Sequence, residues 1–537
     1  MGELSSGRRL RVLFFAGGPR YYLRQYASLV AELTARGHEV QLAFQPSKGT
    51  LPEPRTEEPG VTYAFAPERG ARDGWASVAW VVRGLADLAR YAHPRYARAP
   101  LLRERMTGKI VGHLRRSPEF EPVGRRLALR VARRLATTDA VLSERVIGAA
   151  AKLEAAIPTS RRIDSYIRER APDVVLATPV VNRASTQVDL LKSARRLGIP
   201  AATCVASWDN LTNKGLLKFA PERVFVWNEA QRREAIELHG MPADRVVATG
   251  AQLFDPWFER RPSTTREEFM RRIGLEPAEP YVLYTCSNPA MTEEPESRFV
   301  LEWVAALRAS GDERLRRLGI AIRPHPNEAG EWREADLGGV ENTTIWPRAG
   351  ALPVTDEARA DFFDSLAHSA AVVGINTTAM IEAAIVGKSV LTVLAPEFAQ
   401  ESTLHFDYLL EENGGFLHVG ASLPEHLDQL GRVLKEDAEG AERRRRFVEA
   451  FVRPHGLDRP ATPILADAIE ELAGLPVERR PSSRGSLLRL PLALEAGLSS
   501  AVLASPELHL RRDLRRATRR IRAGFRRMAL LRPRSEG

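Results

Sequence analysis

Cysteine is nearly absent: Cys204 and Cys286 are the only two in 537 residues. Two thiols so far apart make neither a disulfide scaffold nor a CxxC metal or redox site, and they fit a reducing compartment. Long hydrophobic runs are missing too. The most apolar helical stretch, Trp75 to Leu88, is interrupted by Arg83 and Asp87 and is too short to span a bilayer. Met1 to Arg9 lead directly into a strand-like run, without the basic-then-apolar order of a secretory signal, so a cytoplasmic location is expected. No repeat of fixed period occurs. His368, His405, His418 and His426 show no metal-ligand spacing such as HExxH, so no metal is expected. No zinc finger, RNP motif or aromatic-interleaved basic groove points to nucleic acid. What is present is 44% hydrophobic and 27% charged residues, the composition of a folded chain rather than a disordered one. Its length suits two or three domains of about 150 residues each.

The net charge of +10 is unevenly placed. Residues 476–537 hold 15 Arg, no Lys and 5 acidic residues, which accounts for all of it. Residues 69–136 carry 16 basic and 5 acidic residues, so the rest of the body is acidic. Two basic segments on an acidic protein fit an anionic partner, a membrane surface or nucleic acid, or else a solvated helix face.

The chain opens as strand, glycine turn, helix, strand. Leu10 to Phe15 is an apolar run, broken by Gly17, Gly18 and Pro19. Tyr22, Tyr26, Leu29, Val30 and Leu33 recur at helical spacing to Gly37, and Val40, Leu42 and Phe44 alternate as a second strand. This βαβ unit starts a parallel α/β sheet. Strands are predicted again at Val174–Ala177, Ala201–Val205, Val224–Trp227 and Val246–Thr249. Residues 69–170 read as a helical insertion. A Pro- and charge-rich stretch, 256–280, suits an interdomain linker with a short helix. A second alternation follows at Tyr281–Thr285, Ile320–Arg323, Ala371–Val373, Ser389–Val393 and Phe416–Val419, and the last helix of the body at about Thr462–Ala473. The expected organisation is therefore α/β, with two doubly wound, Rossmann-like domains at 8–255 and 281–475. Ligands of such folds bind between the carboxyl ends of the strands.

Three segments carry candidate chemistry. In GINTTAMIEAAIVGKSVLTV, residues 374–393, a strand ends at Gly374 and a helix begins near Thr377. The N–H groups at Asn376, Thr377 and Thr378, and the two threonine hydroxyls, suit a phosphate. Glu382, one turn on from Thr378, can accept from two sugar hydroxyls. In AIRPHPNE, residues 321–328, a strand delivers Arg323 and His325, stiffened by Pro324 and Pro326, where they can neutralise a leaving phosphate. In SWDNLTNKG, residues 207–215, Asp209 is the candidate general base and Lys214 a second phosphate contact, with Asn210 on the acceptor side. Asp209 and Asn210 equally suit an Asx turn. Gly17, Gly18, Arg20 and Tyr21 mark a possible acceptor-side loop, and Tyr22 is as readily core. The turn lacks a full GxGxxG, and no acidic residue closes the second strand, so a bound dinucleotide is disfavoured. Glu401, Ser402 and Thr403 follow a second-domain strand and are expected to line the donor pocket.

The 374–393 segment resembles the nucleotide-diphosphate loop and helix of GT-B glycosyltransferases and of UDP-N-acetylglucosamine 2-epimerases. The Arg-Pro-His-Pro string looks like that of bacterial capsule and teichoic-acid-type transferases, and TGAQLFD (249–255) resembles the end of a first GT-B domain. The resemblance covers roughly residues 8–475. It implies a GT-B fold with no bound cofactor, a nucleotide-activated sugar as co-substrate and a glycan or lipid-linked acceptor. A polyol-phosphate transferase, a sugar-nucleotide 2-epimerase and a non-catalytic glycan binder remain open as alternatives.

In the basic tail, Leu510, Leu514, Ala517, Ile521, Phe525, Met528 and Leu531 fall on one helical face with nine arginines between them. A helix of this kind suits the inner face of an anionic membrane, or packs on the body.

Overall fold

The computed structural model describes residues 8–52, 59–117, 122–137, 139–287, 295–326, 332, 337, 339–394, 398, 403–477 and 487–504. Glu401, Ser402 and the arginine-rich stripe of the tail lie outside these residues.

Two sheets, parallel throughout, organise the chain. The first has seven strands in the order β3-β2-β1-β4-β5-β6-β7: β1 Arg11–Ala16, β2 Glu39–Phe44, β3 Val61–Phe65, β4 Val174–Ala177, β5 Ala201–Cys204, β6 Arg223–Val226 and β7 Val246–Ala248. The second has six, ordered β10-β9-β8-β11-β12-β13: β8 Tyr281–Thr285, β9 Gly319–Arg323, β10 Thr343–Ile345, β11 Ala371–Gly374, β12 Val390–Val393 and β13 His418–Gly420. Both follow the doubly wound order, with the strand order reversing beside β1 and beside β8, which is where ligand crevices form. The central strands β4, β5, β8, β9, β11 and β12 are buried along their whole length, as apolar runs covered on both faces require.

Several elements depart from the sequence expectation. The first helix is two, α1 Pro19–Gln25 and α2 Ala27–Ala35. They are separated at Tyr26, whose hydroxyl reaches Thr178 Oγ1 at 3.0 Å and donates to the Cys204 carbonyl at 3.2 Å. The edge strands β3 and β10 were not predicted: one is only partly buried and the other has three residues. Five helices form the insertion: α3 Gly74–Ala92, α4 Pro100–Arg116, α5 Pro122–Arg134, α6 Ala140–Ala156 and α7 Arg161–Arg170.

The 256–280 stretch includes helix α8, Arg266–Ile273. It starts in a capping box of Thr265 and Glu268 and buries Phe269, Met270 and Ile273 in the second sheet's core. Helix α11, Ala461–Ala473, crosses back after the second sheet. Its Leu465, Ala466, Ile469 and Leu472 complete the core over β1 and α2, so it packs with the first unit although the expected boundary at 475 groups it with the second. Asp255 anchors this crossing: its carboxylate accepts from the N–H groups of Ala461 and Thr462 at 3.1 and 2.6 Å and pairs with Arg453 at 2.9 Å. One apolar cluster, with Trp208, Trp227 and Phe254 from the first unit and Met380, Phe406 and Phe416 from the second, runs across the boundary. A final helix, α12 Arg489–Ala504, lies on α3.

Candidate active site

On the second sheet's side, β8, β9 and β11 end together. Gly374 closes β11 where a Cβ would stand 2.9 Å from Thr285 Oγ1, so the loop turns off β11 in contact with β8. Asn376 braces this loop: its N–H donates to Ser287 Oγ at 3.1 Å, and its side-chain amide to Thr403 Oγ1 at 3.0 Å. Its expected role as a phosphate donor is thereby taken over by structure. Thr377 and Thr378 follow, and Thr378 starts α10, Ala379–Ile385, without using its hydroxyl as a cap. Glu382 sits one turn further, 4% exposed. Burial pushes its carboxyl up to about 7, against the opposing pull of Arg24 and Arg323.

Arg323 ends β9. Its Nη1 donates to Asp361 Oδ2 at 3.0 Å, and the guanidinium lies 4.8 Å over the Phe362 ring; both partners belong to helix α9, Asp356–Ala367. Its Nη2 is buried with no hydrogen-bond partner among the described residues. That is a costly state for an ionised donor, and one an anion would relieve. His325 is held down to about 4 by burial and by the charge of Arg24. At neutral pH it is therefore an uncharged imidazole, offering a hydrogen bond where the sequence suggested charge.

On the first sheet's side, the loop after β5 presents Asp209, whose Oδ2 pairs with Lys214 Nζ at 3.1 Å. Burial would raise the Asp209 pKa, but Lys214, His405 and a hydrogen bond from Ser207 outweigh it and hold the group at about 2. His405 comes from the second unit. It meets Trp208 edge-on at 4.5 Å and Thr212 Oγ1 at 3.3 Å, closing one wall of the cleft. Burial, with Lys214, lowers it to about 4 against Asp209.

The helical insertion fixes this loop. Asp87 of α3 accepts from the N–H groups of Leu216 at 2.7 Å and Ala184 at 2.8 Å. Arg90 donates to the carbonyls of Leu211, Lys214 and Gly215, and the Tyr91 hydroxyl to Lys214 at 2.7 Å. Gly215 is required here, because a Cβ would stand 2.6 Å from Asp87 Oδ1.

The two sides enclose a cavity of about 290 Å³. It brings together Arg323, His325, Asn376, Thr377, Thr378 and Glu382 from one unit with Asp209 and Lys214 from the other. Gly17, Gly18, Arg20 and Asn210 do not line it. Gly17 packs against Pro179 and Tyr21, Gly18 is buried at the start of α1, and Arg20 points to solvent. Asn210 is a turn brace, accepting from the Ala206 N–H at 3.2 Å and donating to Asp209 Oδ1 at 3.2 Å.

Sequence reasoning missed Arg24, Trp208 and Phe362 on the cavity wall and gave His405 no role there. Arg24 stands one helical turn beyond Arg20, and that i,i+4 spacing was the available signal. Arg24, Arg323 and Lys214 together make the cavity attractive to an anion. Among the described residues no group of three His, Cys, Asp or Glu side chains suits a metal ion, and no helix is long and apolar enough to cross a membrane.

No protein-family model and no curated protein matches the sequence. Among solved structures, a putative UDP-N-acetylglucosamine 2-epimerase from Listeria monocytogenes is 14% identical, covering 88% of this chain and 99% of its own, with a TM-score of 0.48. The UDP-GlcNAc 2-epimerase of Neisseria meningitidis bound to UDP-GlcNAc is 13% identical over 86% of this chain and 100% of its own, TM-score 0.46. A glycosyltransferase from Rickettsia africae is 10% identical over 87% and 100%, TM-score 0.47. The chain's own topology defines the fold: an α/β, two-domain, Rossmann-like architecture of two tandem doubly wound parallel sheets.

Proposed function

We propose that the chain is a GT-B glycosyltransferase that binds a nucleotide-activated sugar in this cleft and passes the sugar to a glycan or lipid-linked acceptor of cell-surface polysaccharide assembly. The observation that carries the reading is Arg323 Nη2, buried with no hydrogen-bond partner among the described residues, on a cavity that Arg24 and Glu382 also line. A diphosphate would satisfy the guanidinium and the Arg24 charge together. Thr377 and Thr378 add hydroxyl donors, Glu382 takes ribose hydroxyls, and His325 hydrogen-bonds the departing phosphate.

Asp209 and Lys214 face the donor from the first unit. With its pKa held at about 2, Asp209 is ionised throughout the physiological range. That suits orienting an acceptor hydroxyl and stabilising developing positive charge more than storing a proton. The test is turnover of radiolabelled UDP-, GDP- and CDP-activated donors by the full chain, with and without lipid-linked acceptors. Acceptor-dependent release of nucleoside diphosphate supports the proposal. Conversion of the donor with no acceptor present favours the 2-epimerase alternative instead, and transfer of the polyol phosphate from CDP-glycerol favours a polyol-phosphate transferase.

A further inference from the structure

Helix α12 is amphipathic in an unusual sense. Its inner face, Ala496, Ser499 and Leu503, is buried, and it crowds Gly74 of α3 so closely that a Cβ there would stand 1.9 Å from the Ala496 carbonyl oxygen. Its outer face is a ridge of leucines at i, i+4 and i+8: Leu490, Leu494 and Leu498, exposed by 71%, 69% and 42%. Leu487, just before the helix, is 84% exposed. Scattered exposed leucines are ordinary, whereas a contiguous row on one helix marks an interaction face.

The neighbouring helix supplies the charge. Helix α5, PVGRRLALRVARR, has no acidic residue. Ala128, Ala132 and Leu135 turn inward, while Arg126, Leu127, Arg130, Arg133 and Arg134 all face solvent. The two helices meet where Gly124 at the start of α5 abuts the Glu495 side chain of α12. Beyond Ala504 the chain continues for 33 residues with 11 arginines and 3 acidic residues.

We propose that the leucine ridge of α12 and the arginine face of α5 form one docking surface for an anionic lipid bilayer. The leucines enter the headgroup–acyl boundary and the arginines lie against anionic headgroups, the division of labour of an interfacial helix. Charge selects the occupant. A soluble apolar partner would not require an acid-free row of arginines beside the ridge, and a second copy would set arginine against arginine. The surface lies on the unit that presents Asp209 and Lys214. The inference does not depend on which reaction the cleft performs.

The test is co-sedimentation of the full chain with vesicles of phosphatidylcholine alone, or with about one-third phosphatidylglycerol. Binding to the anionic vesicles only is expected. With the tail intact, Leu490→Glu/Leu494→Glu/Leu498→Glu should weaken it by about tenfold or more. Arg126→Gln, Arg130→Gln, Arg133→Gln and Arg134→Gln should each weaken it by up to about fivefold. These side chains are exposed, so melting temperatures should match the wild type, and a Leu→Ser triple variant provides a milder check. The proposal is overturned if wild type ignores anionic vesicles, or if the leucine variant binds as wild type does, which would leave the tail as sole anchor. It is equally overturned if the leucine substitutions convert a dimer to a monomer with vesicle binding unchanged.

Discussion

Glu382 and Asp209 are two carboxylates facing one cleft with opposite fates. Glu382 forms no ion pair among the described residues, and burial outweighs the pull of Arg24 and Arg323 and pushes it up to about 7, whereas Asp209 has Lys214 at 3.1 Å and is held at about 2. The consequence for stability has a definite sign. A carboxyl whose pKa rises on folding keeps an extra proton in the native state, so its contribution is full below its unfolded value near 4.5 and is lost as pH rises through 7. Glu382→Gln should therefore gain on wild type by about 3 kcal/mol between pH 4.5 and 8. Unfolding in urea at the two pH values measures this, and an unchanged difference would refute it.

Removing the partner of the other carboxylate tests the reverse case. Lys214→Met should raise the Asp209 pKa by one unit or more, visible as an upfield-to-downfield carboxyl titration by NMR moving towards pH 4. The residue scale is also where the sequence was most and least informative. Arg323, His325, Thr377 and Glu382 were legible because strand ends and a helix start put them at one sheet's carboxyl edge. Arg24 was not, because its i,i+4 spacing from Arg20 says only that the two share a helix face, and its role depends on where α1 lies against the second unit.

At the scale of elements, the insertion is a scaffold for the loop that carries Asp209 and Lys214. Arg90 is buried and donates to three loop carbonyls at once; Arg90→Leu leaves the Gly215 carbonyl without its donor, while Leu211 and Lys214 keep only His239 and Tyr91. A loss on the order of 2–4 kcal/mol in unfolding free energy is expected, with Arg90→Lys falling between the variant and wild type. Hydrogen exchange at Leu216 and Gly215 should accelerate in both variants, because their loop loses its grip. The helical nature of residues 69–170 was readable from periodicity and the absence of strand patterns. Its purpose was not, since Asp87, Arg90 and Tyr91 read as ordinary polar interruptions of an apolar helix until their partners more than 90 residues away are known. The edge strands β3 and β10 escaped for a simpler reason: three to five residues with partial burial show too little alternation to stand out.

Across the whole molecule, the two sheets are held in register by the shared apolar cluster and by the return of α11 to the first unit. The return depends on Asp255, buried among Arg453, Ala461 and Thr462. Asp255→Ala leaves Arg453 buried and unpaired and uncaps α11. A loss of about 3–5 kcal/mol is expected, read as a lower midpoint in urea. The central strands and the two-sheet organisation were legible in the sequence because buried parallel strands announce themselves as apolar runs. The crossing of α11 and the docking of α12 were not, because an apolar helical face says that it must be covered and not by what.

The central claim is that the cleft takes a nucleotide diphosphate against Arg323 and Glu382. Its most direct test is a thermal-shift panel of the full chain with UDP, GDP, CDP, CMP and ADP, repeated on Glu382→Ala. A nucleotide at one hundred times its dissociation constant adds about 2.7 kcal/mol to the folded state. One nucleoside diphosphate should raise the melting temperature of the wild type by several degrees and leave the variant unmoved. If none of the five stabilises the wild type, or if the variant responds as fully as the wild type does, the cleft does not bind nucleotide in this way and the account is wrong.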